Sequence, residues 1–319
     1  MLNAPAFWQD EGALAARLLA PLGAAYGWAT ARRIARTVPA RAPVPVVCVG
    51  NATLGGVGKT PFAAMLLRLL TEARRRPHVL TRGYGGAERG PHRVTPDDTA
   101  ARVGDEALLL AGSAPVWVSR DRPAGARAAA EAGADVIVMD DGLQNPSLAK
   151  TLTFFLVDAE AMFGNGRVFP AGPLREPPAA AAARADALVS VGGEPPTALR
   201  GLAGGLPLLR ADLKLDADAV PPGPLLAFAG IGRPERFFAS LMCADAEVVR
   251  TRGFPDHHPY SEADLSALAD EADALGATLV TTSKDAVRVP PVYADRVSAV
   301  PARMESPDTD RIRALLEAM

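Results

Sequence analysis

The stretch Gly50-Asn51-Ala52-Thr53-Leu54-Gly55-Gly56-Val57-Gly58-Lys59-Thr60 narrows what this chain can fold into more than any other. Pro45-Val46-Val47-Cys48-Val49 precedes it and reads as a short strand; Pro61 to Leu70 follows and reads as a helix. Strand, glycine loop, Gly-Lys-Thr and helix form the layout of a phosphate-binding loop. Glycines let the backbone come close to phosphate oxygens and turn its N–H groups inward. The helix N-terminus adds partial positive charge. The nucleotide-binding set is therefore Thr53, Gly55, Gly56, Val57, Gly58, Lys59 and Thr60, with Lys59 reaching the β- and γ-phosphates and the Thr60 hydroxyl holding Mg²⁺. The first glycine of the usual G-x-x-x-x-G-K-[ST] pattern is replaced by Thr53, and Gly55-Gly56 supply the flexibility instead. The alternative is an ordinary glycine turn before a helix. Lysine usage argues against it. Only four of the 34 basic residues are lysine, and one stands where a compact ammonium suits phosphate.

A chain of 319 residues can bury a large core, and 49% hydrophobic with 22% charged residues is globular composition. A net charge of −2 does not favour nucleic-acid binding. Two cysteines, Cys48 and Cys243, make neither a disulfide framework nor a zinc pattern, which fits a reducing cytoplasm. Asp10 and Glu11 precede the first basic residue, Arg17, so no signal peptide is expected. The uncharged stretch of the N-terminal region, Leu18 to Ala31, is too short to span a bilayer.

Within residues 7–36, Phe7, Trp8, Leu14, Leu18, Leu19, Leu22, Tyr26 and Trp28 recur at helical spacing, with Arg17, Arg32, Arg33 and Arg36 among them. Such a segment either lies on a membrane surface or packs on the domain. Pro77 to Thr81 reads as a strand running into Arg82-Gly83-Tyr84-Gly85-Gly86, where ligands bind in open α/β sheets, though a flexible hairpin would look similar. Asp105 and Glu106 open an Ala/Leu-rich helix, and helix capping alone would explain both. Asp135 to Gly142 is an apolar strand ending in Asp140 and Asp141, a Walker B pattern whose carboxylate would hold Mg²⁺. The Gly- and Pro-rich stretch from Phe163 to Pro177 carries Asn165 and the charged pair Arg175-Glu176, and ordered loops of that length are usually functional. Strands alternating with helices predict a P-loop NTPase-like α/β fold, a mostly parallel sheet with helices on both faces. Residues 192–224, rich in Pro and Gly, read as a linker with short strands. The expected organisation is an N-terminal amphipathic segment over 1–38, a P-loop core over 39–220 and a smaller C-terminal α/β domain over 221–319. In the last, Asp256-His257-His258 could be metal ligands, an acid–base pair or a polar loop.

These stretches together resemble the tetraacyldisaccharide 4′-kinase family. The likeness rests on Gly50 to Pro61, Thr81 to Gly86, Val103 to Glu106, Asp140-Asp141-Gly142-Leu143-Gln144, Gly164-Asn165-Gly166, Pro170 to Pro177, Phe254 to His258 and Thr282-Ser283-Lys284-Asp285, nearly the whole chain. Leu143 stands where many relatives have Phe, a conservative change. The resemblance implies a kinase using ATP and Mg²⁺ that phosphorylates the 4′-hydroxyl of a lipid-linked glucosamine disaccharide, bound peripherally at the cytoplasmic face of a Gram-negative inner membrane. It favours the membrane role for residues 7–36 and implies no obligate protein partner. It makes Asp105 the leading base, with His257 as its partner or as a further site residue. Lys59 neutralises phosphate, and Thr60 with Asp140 or Asp141 holds the metal. Glu176 becomes a further metal or substrate contact, and Arg82, Asn165 and Arg175 substrate contacts, with Arg175 facing the phosphate already on the disaccharide. Two other classes share the loop. Dimeric ATPase switches carry a lysine near position 54, where this chain has Leu54. A soluble small-molecule kinase would need no amphipathic N-terminus.

Overall fold

Near-continuous apolar runs need cover on both faces, and in the computed structural model, which describes residues 5–319, they form parallel strands. Residues 1–4 of the expected N-terminal segment lie outside the described residues. The strands are β1 (Val46–Asn51), β2 (Pro77–Thr81), β3 (His92–Arg93), β4 (Val116–Val118), β5 (Val136–Asp140), β6 (Leu152–Asp158), β7 (Ala187–Val191), β8 (Leu208–Leu215), β9 (Leu225–Ala229), β10 (Val248–Gly253), β11 (Thr278–Thr282), β12 (Val297–Val300) and β13 (Ala302–Glu305). The helices are α1 (Leu14–Arg36), α2 (Lys59–Glu72), α3 (Ala100–Val103), α4 (Asp105–Ala111), α5 (Arg122–Glu131), α6 (Pro178–Ala182), α7 (Thr197–Ala203), α8 (Pro234–Cys243), α9 (Glu262–Leu275), α10 (Ser283–Ala286) and α11 (Thr309–Glu317).

The chain divides into two compact units, one of residues 5–213 with Met304–Met319 and one of Lys214–Arg303. The larger holds a nine-stranded sheet in the order β13-β8-β7-β6-β1-β5-β2-β4-β3. From β8 through β4 neighbouring strands are parallel, and β3 pairs antiparallel with β4. One face is covered by α2, α4 and α11, whose Phe62, Leu66, Leu110 and Ile312 join one apolar cluster with Val47, Val49 and Val138. On the other face, Ala126 and Ala129 of α5 pack on Cys48, Leu80 and Met139, while α6 and α7 pack on Phe155 and Leu188. The stretch 192–224, read as a linker with short strands, contains α7 and one eight-residue strand, β8, whose alternating polar residues disguise its length from a search for apolar runs. The sequence reading gave everything from 221 onward to the smaller domain. In the structure β13 and α11 return to the larger sheet, and Met304, Ile312 and Leu316 are buried in its core.

Helix α1 has two unlike faces. Ala16 and Gly23 are buried, and a Cβ at Gly23 would lie 2.6 Å from the Val168 carbonyl oxygen, so a small-residue face lies against the 163–177 loop. Leu14, Leu18, Leu22, Tyr26 and Trp28 remain exposed, with Arg32 stacked over the Trp28 ring at 5.2 Å. No described helix is long and apolar enough to cross a membrane.

In the smaller unit four parallel strands run in the order β10-β9-β11-β12. β9 connects onward to β10 on one side and β11 to β12 on the other, so the chain changes direction between β9 and β11. The carboxyl ends of these strands form the kind of crevice where open α/β sheets bind ligands.

Candidate active site

The parallel register sets the site. Val49 pairs with Asp140 on β5, so the carboxylate ending one strand sits level with the start of the glycine loop ending its neighbour. Gly58 caps α2 in the left-handed region (φ 83°), and a Cβ there would meet the Met304 methyl at 2.9 Å. Lys59 and Thr60 then occupy the first turn of α2, both buried.

Lys59 Nζ donates to Asn51 Oδ1 at 3.2 Å and lies 3.8 Å from Asp141 Oδ1. The Asn51 amide in turn donates to the Thr53 carbonyl and hydroxyl at 2.9 and 3.0 Å, which ties down the position lacking its usual glycine. The Thr60 hydroxyl donates to Asp140 Oδ2 at 3.3 Å. The other oxygen, Asp140 Oδ1, is buried without a hydrogen-bond partner. Burial first, and then the Glu106 charge, push the Asp140 carboxyl up to about 7 against the pull of Lys59. Asp141 sits at φ 51°, a left-handed turn, beside Arg175. Burial works to raise its carboxyl, but the Lys59 and Arg175 charges hold it below the usual carboxylate range.

A buried hydroxyl beside a carboxylate oxygen with no partner is a hard-oxygen site that suits Mg²⁺. No group of three or more His, Cys, Asp or Glu able to hold a metal occurs among the described residues. Mg²⁺ asks for few protein ligands, because phosphate oxygens and water complete its shell. The fit has a pH signature. A protonated Asp140 cannot serve as ligand. Affinity for Mg²⁺ with a non-hydrolysable ATP analogue should therefore rise about tenfold per unit as the pH climbs toward about 7 and level off above it. Calorimetric titrations from pH 5.5 to 8.5 would show this, and Asp140→Asn should flatten the profile.

The 163–177 loop is stitched to the P-loop. Leu54 N–H donates to the Pro173 carbonyl and Arg175 N–H to the Ala52 carbonyl, each at 2.7 Å. Arg175 Nη1 contacts both Asp141 oxygens at 2.8 and 2.9 Å, so this nitrogen serves Asp141 in the structure. Both Glu176 oxygens accept from Arg184 Nη2, at 2.6 and 2.7 Å, and Oε1 also accepts from Gln144 at 3.0 Å. Asn165 is buried; its amide donates to the Phe7 and Ala171 carbonyls and its Oδ1 accepts from Arg167 N–H, which shapes the loop. Arg82 is exposed directly after β2.

Asp105 is buried at the first helical position of α4, and the N-cap place belongs to Gly104. Its Oδ1 accepts from Glu106 N–H at 2.9 Å. Gly104 (φ 87°) would bring a Cβ within 2.5 Å of the Tyr84 carbonyl oxygen, so the α3–α4 break packs directly on the Arg82–Gly86 loop. His257 belongs to the smaller unit. Its Nε2 lies 3.3 Å from Lys284 Nζ and 3.8 Å from Asp256.

Sequence reading missed Asn51, Gln144, Arg122 and Arg184. Gln144 stood inside a quoted motif, yet only the fold shows its amide bridging the Asn51 carbonyl and Glu176. Arg122 is buried, and its charge faces Asp140 and Asp141. Nothing in the local sequence marks Arg122 or Arg184.

This arrangement defines an ATP-dependent P-loop phosphotransferase. A family model described as Tetraacyldisaccharide-1-P 4′-kinase (LpxK) matches residues 15–319. Tetraacyldisaccharide 4′-kinase from Paramagnetospirillum magneticum is 51% identical, covering 95% of this chain and 94% of its own. The enzyme of that name from Methylobacterium sp. strain 4-46 is 52% identical, covering 100% and 98%. The solved structure of the "apo" form of LpxK from Aquifex aeolicus in complex with ATP matches with a TM-score of 0.76 at 26% identity, covering 95% of this chain and 98% of that one. The chain belongs to the tetraacyldisaccharide-1-P 4′-kinase family. It is an ATP-dependent kinase that phosphorylates the 4′-hydroxyl of a tetraacylated glucosamine disaccharide 1-phosphate in lipid A biosynthesis.

Proposed function

We propose a division of labour among the site residues, carried by one observation: the unpartnered buried oxygen of Asp140 beside the Thr60 hydroxyl. Thr60 and Asp140 hold Mg²⁺, which when bound neutralises charge on the β- and γ-phosphates. Asp141 does a different job. With Asn51 it holds Lys59 in place, and Arg175 keeps Asp141 ionised. The Lys59 ammonium offers a point charge to the transferring phosphoryl group. Loop N–H groups between Gly55 and Lys59 cradle the phosphates. Asp105 accepts the proton of the 4′-hydroxyl, because a sugar hydroxyl is a poor nucleophile until a base takes that proton. His257 assists the transfer. Glu176, Arg184 and Gln144 brace the 163–177 loop against the P-loop, while Arg82 and the Asn165 loop line the path of the disaccharide. Purified protein given ATP labelled at the γ-phosphate and the tetraacylated disaccharide 1-phosphate should move label to the lipid. Label released as free phosphate, or placed on a water-soluble sugar instead, would overturn the acceptor assignment.

We infer a peripheral position on the membrane, at the cytoplasmic side where ATP is supplied, and the exposed apolar face of α1 supports this reading. Leu14, Leu18, Leu22 and Trp28 would enter the headgroup region, and Arg32, Arg33 and Arg36 would meet anionic lipid. Each large apolar side chain buried there contributes roughly 1.5–3 kcal/mol at most. Replacing Leu18, Leu22 and Trp28 together by Ser should lower partitioning onto anionic phospholipid vesicles by a factor on the order of 10² or more. The melting temperature should change little, since none of the three is in the core. Flotation unchanged by the triple substitution would reduce α1 to a helix packed on its loop.

A further inference from the structure

The Thr282-Ser283-Lys284-Asp285 motif has no part in the assignments above, yet the structure builds it into the seat of His257. His257 adopts φ 58°, a left-handed backbone that a non-glycine side chain holds only when its surroundings impose it. The surroundings are specific. His257 N–H donates to the Gly230 carbonyl at 3.1 Å, and Arg288 Nη2 donates to the same oxygen at 3.0 Å. Gly230 N–H donates to Asp285 Oδ1 at 2.8 Å. Arg288 Nη1 donates to the His258 carbonyl at 3.0 Å, so one guanidinium holds both the carbonyl just after His257 and the Gly230 carbonyl that accepts the His257 N–H. Asp285 is fully buried and holds that guanidinium at 2.5 Å, while accepting from the Tyr260 hydroxyl at 2.8 Å and the Thr282 hydroxyl at 2.5 Å. The guanidinium lies over the Tyr260 ring, 5.6 Å from its centre.

We propose that Arg288, locked by Asp285, is a positioning residue for the phosphoryl transfer: it fixes the backbone of His257 and so aims its imidazole, with Lys284 flanking the ring at 3.3 Å. The proposal rests on the reading that His257 assists the transfer. The planar fork of arginine is what the role requires. Its two nitrogens reach two carbonyls at a fixed spacing, which a lysine ammonium cannot do. A buried Arg–Asp pair by itself is weak evidence of stabilisation, so geometry is the better account of its use here.

The test is a double-mutant cycle on the full-length protein, read by single-turnover transfer to the lipid disaccharide at saturating ATP and Mg²⁺. Arg288→Lys should lower the transfer rate about tenfold or more while leaving affinity for ATP unchanged, because small misplacements of a reacting group are costly. In a His257→Ala background the same substitution should change nothing further. An equal loss in both backgrounds would show a general structural effect and overturn the proposal, as would a wild-type rate in Arg288→Lys when His257→Ala is slow. A wild-type rate in His257→Ala alone would instead remove the underlying role of His257, and the proposal with it. Should Arg288→Lys not fold, Tyr260→Phe loosens Asp285 by one hydrogen bond, and its smaller loss should likewise vanish in the His257→Ala background.

Discussion

Lys59→Ala should yield a folded protein that transfers essentially no phosphoryl group, a loss of about 10²–10³-fold or more, the range for removing one preorganised charge from a transition state. The expected cost to stability is small. Asn51 Oδ1 loses its donor, a penalty of about 1–3 kcal/mol for a buried acceptor. Asp141 keeps Arg175 at 2.8 Å, so no carboxylate is left alone. Helix α2 is anchored by Phe62, Leu66 and Leu70, which the substitution does not touch. Single-turnover assays together with a melting curve would check both halves. A folded variant with near-normal activity would remove the P-loop from the mechanism.

Asp105→Asn should slow the chemical step by roughly 10² or more, the usual contribution of a general base. ATP binding should hardly change, since on the proposed reading the loop and Lys59 hold the phosphates. The structure makes the substitution a clean one. Gly104, not Asp105, occupies the N-cap place, and at the helix start Asp105 accepts a hydrogen bond from Glu106 N–H. An amide oxygen can accept that same hydrogen bond, so the start of α4 is kept while the base is lost. If Asp105 and His257 act as a unit, His257→Ala should also slow transfer and the two losses should not multiply. A wild-type single-turnover rate for Asp105→Asn would leave Asp105 with a structural role and His257 as the remaining candidate.

Sequence alone carried far in the larger unit because its signals are local. A strand ending in a glycine loop and a helix beginning Gly58-Lys59-Thr60 specify their own backbone, and the buried runs over Val46–Asn51 and Val136–Asp140 declare parallel strands. The different surroundings of Asp140 and Asp141 were not legible. Two adjacent carboxylates look alike in a sequence. The left-handed turn at Asp141 sends one toward Lys59 and Arg175 and leaves the other beside Thr60 and Glu106. Likewise the charged pair Arg175-Glu176 showed no partners in the sequence, because those partners, Asp141 and Arg184, come from elsewhere in the chain.

What the sequence determined by itself was the chemistry on offer: a phosphate-binding loop, carboxylates at a strand end, a helix with an apolar stripe and a basic end. Those properties live in residue types at short spacing, where periodicity and turn preference act directly. Tertiary structure alone decided which charges neutralise one another, that β13 and α11 rejoin the first sheet across the smaller unit, and that the small-residue face of α1, rather than its leucines, packs inward. Each of these depends on groups distant in sequence being buried together, where partner choice follows from desolvation and packing, and no local pattern encodes it.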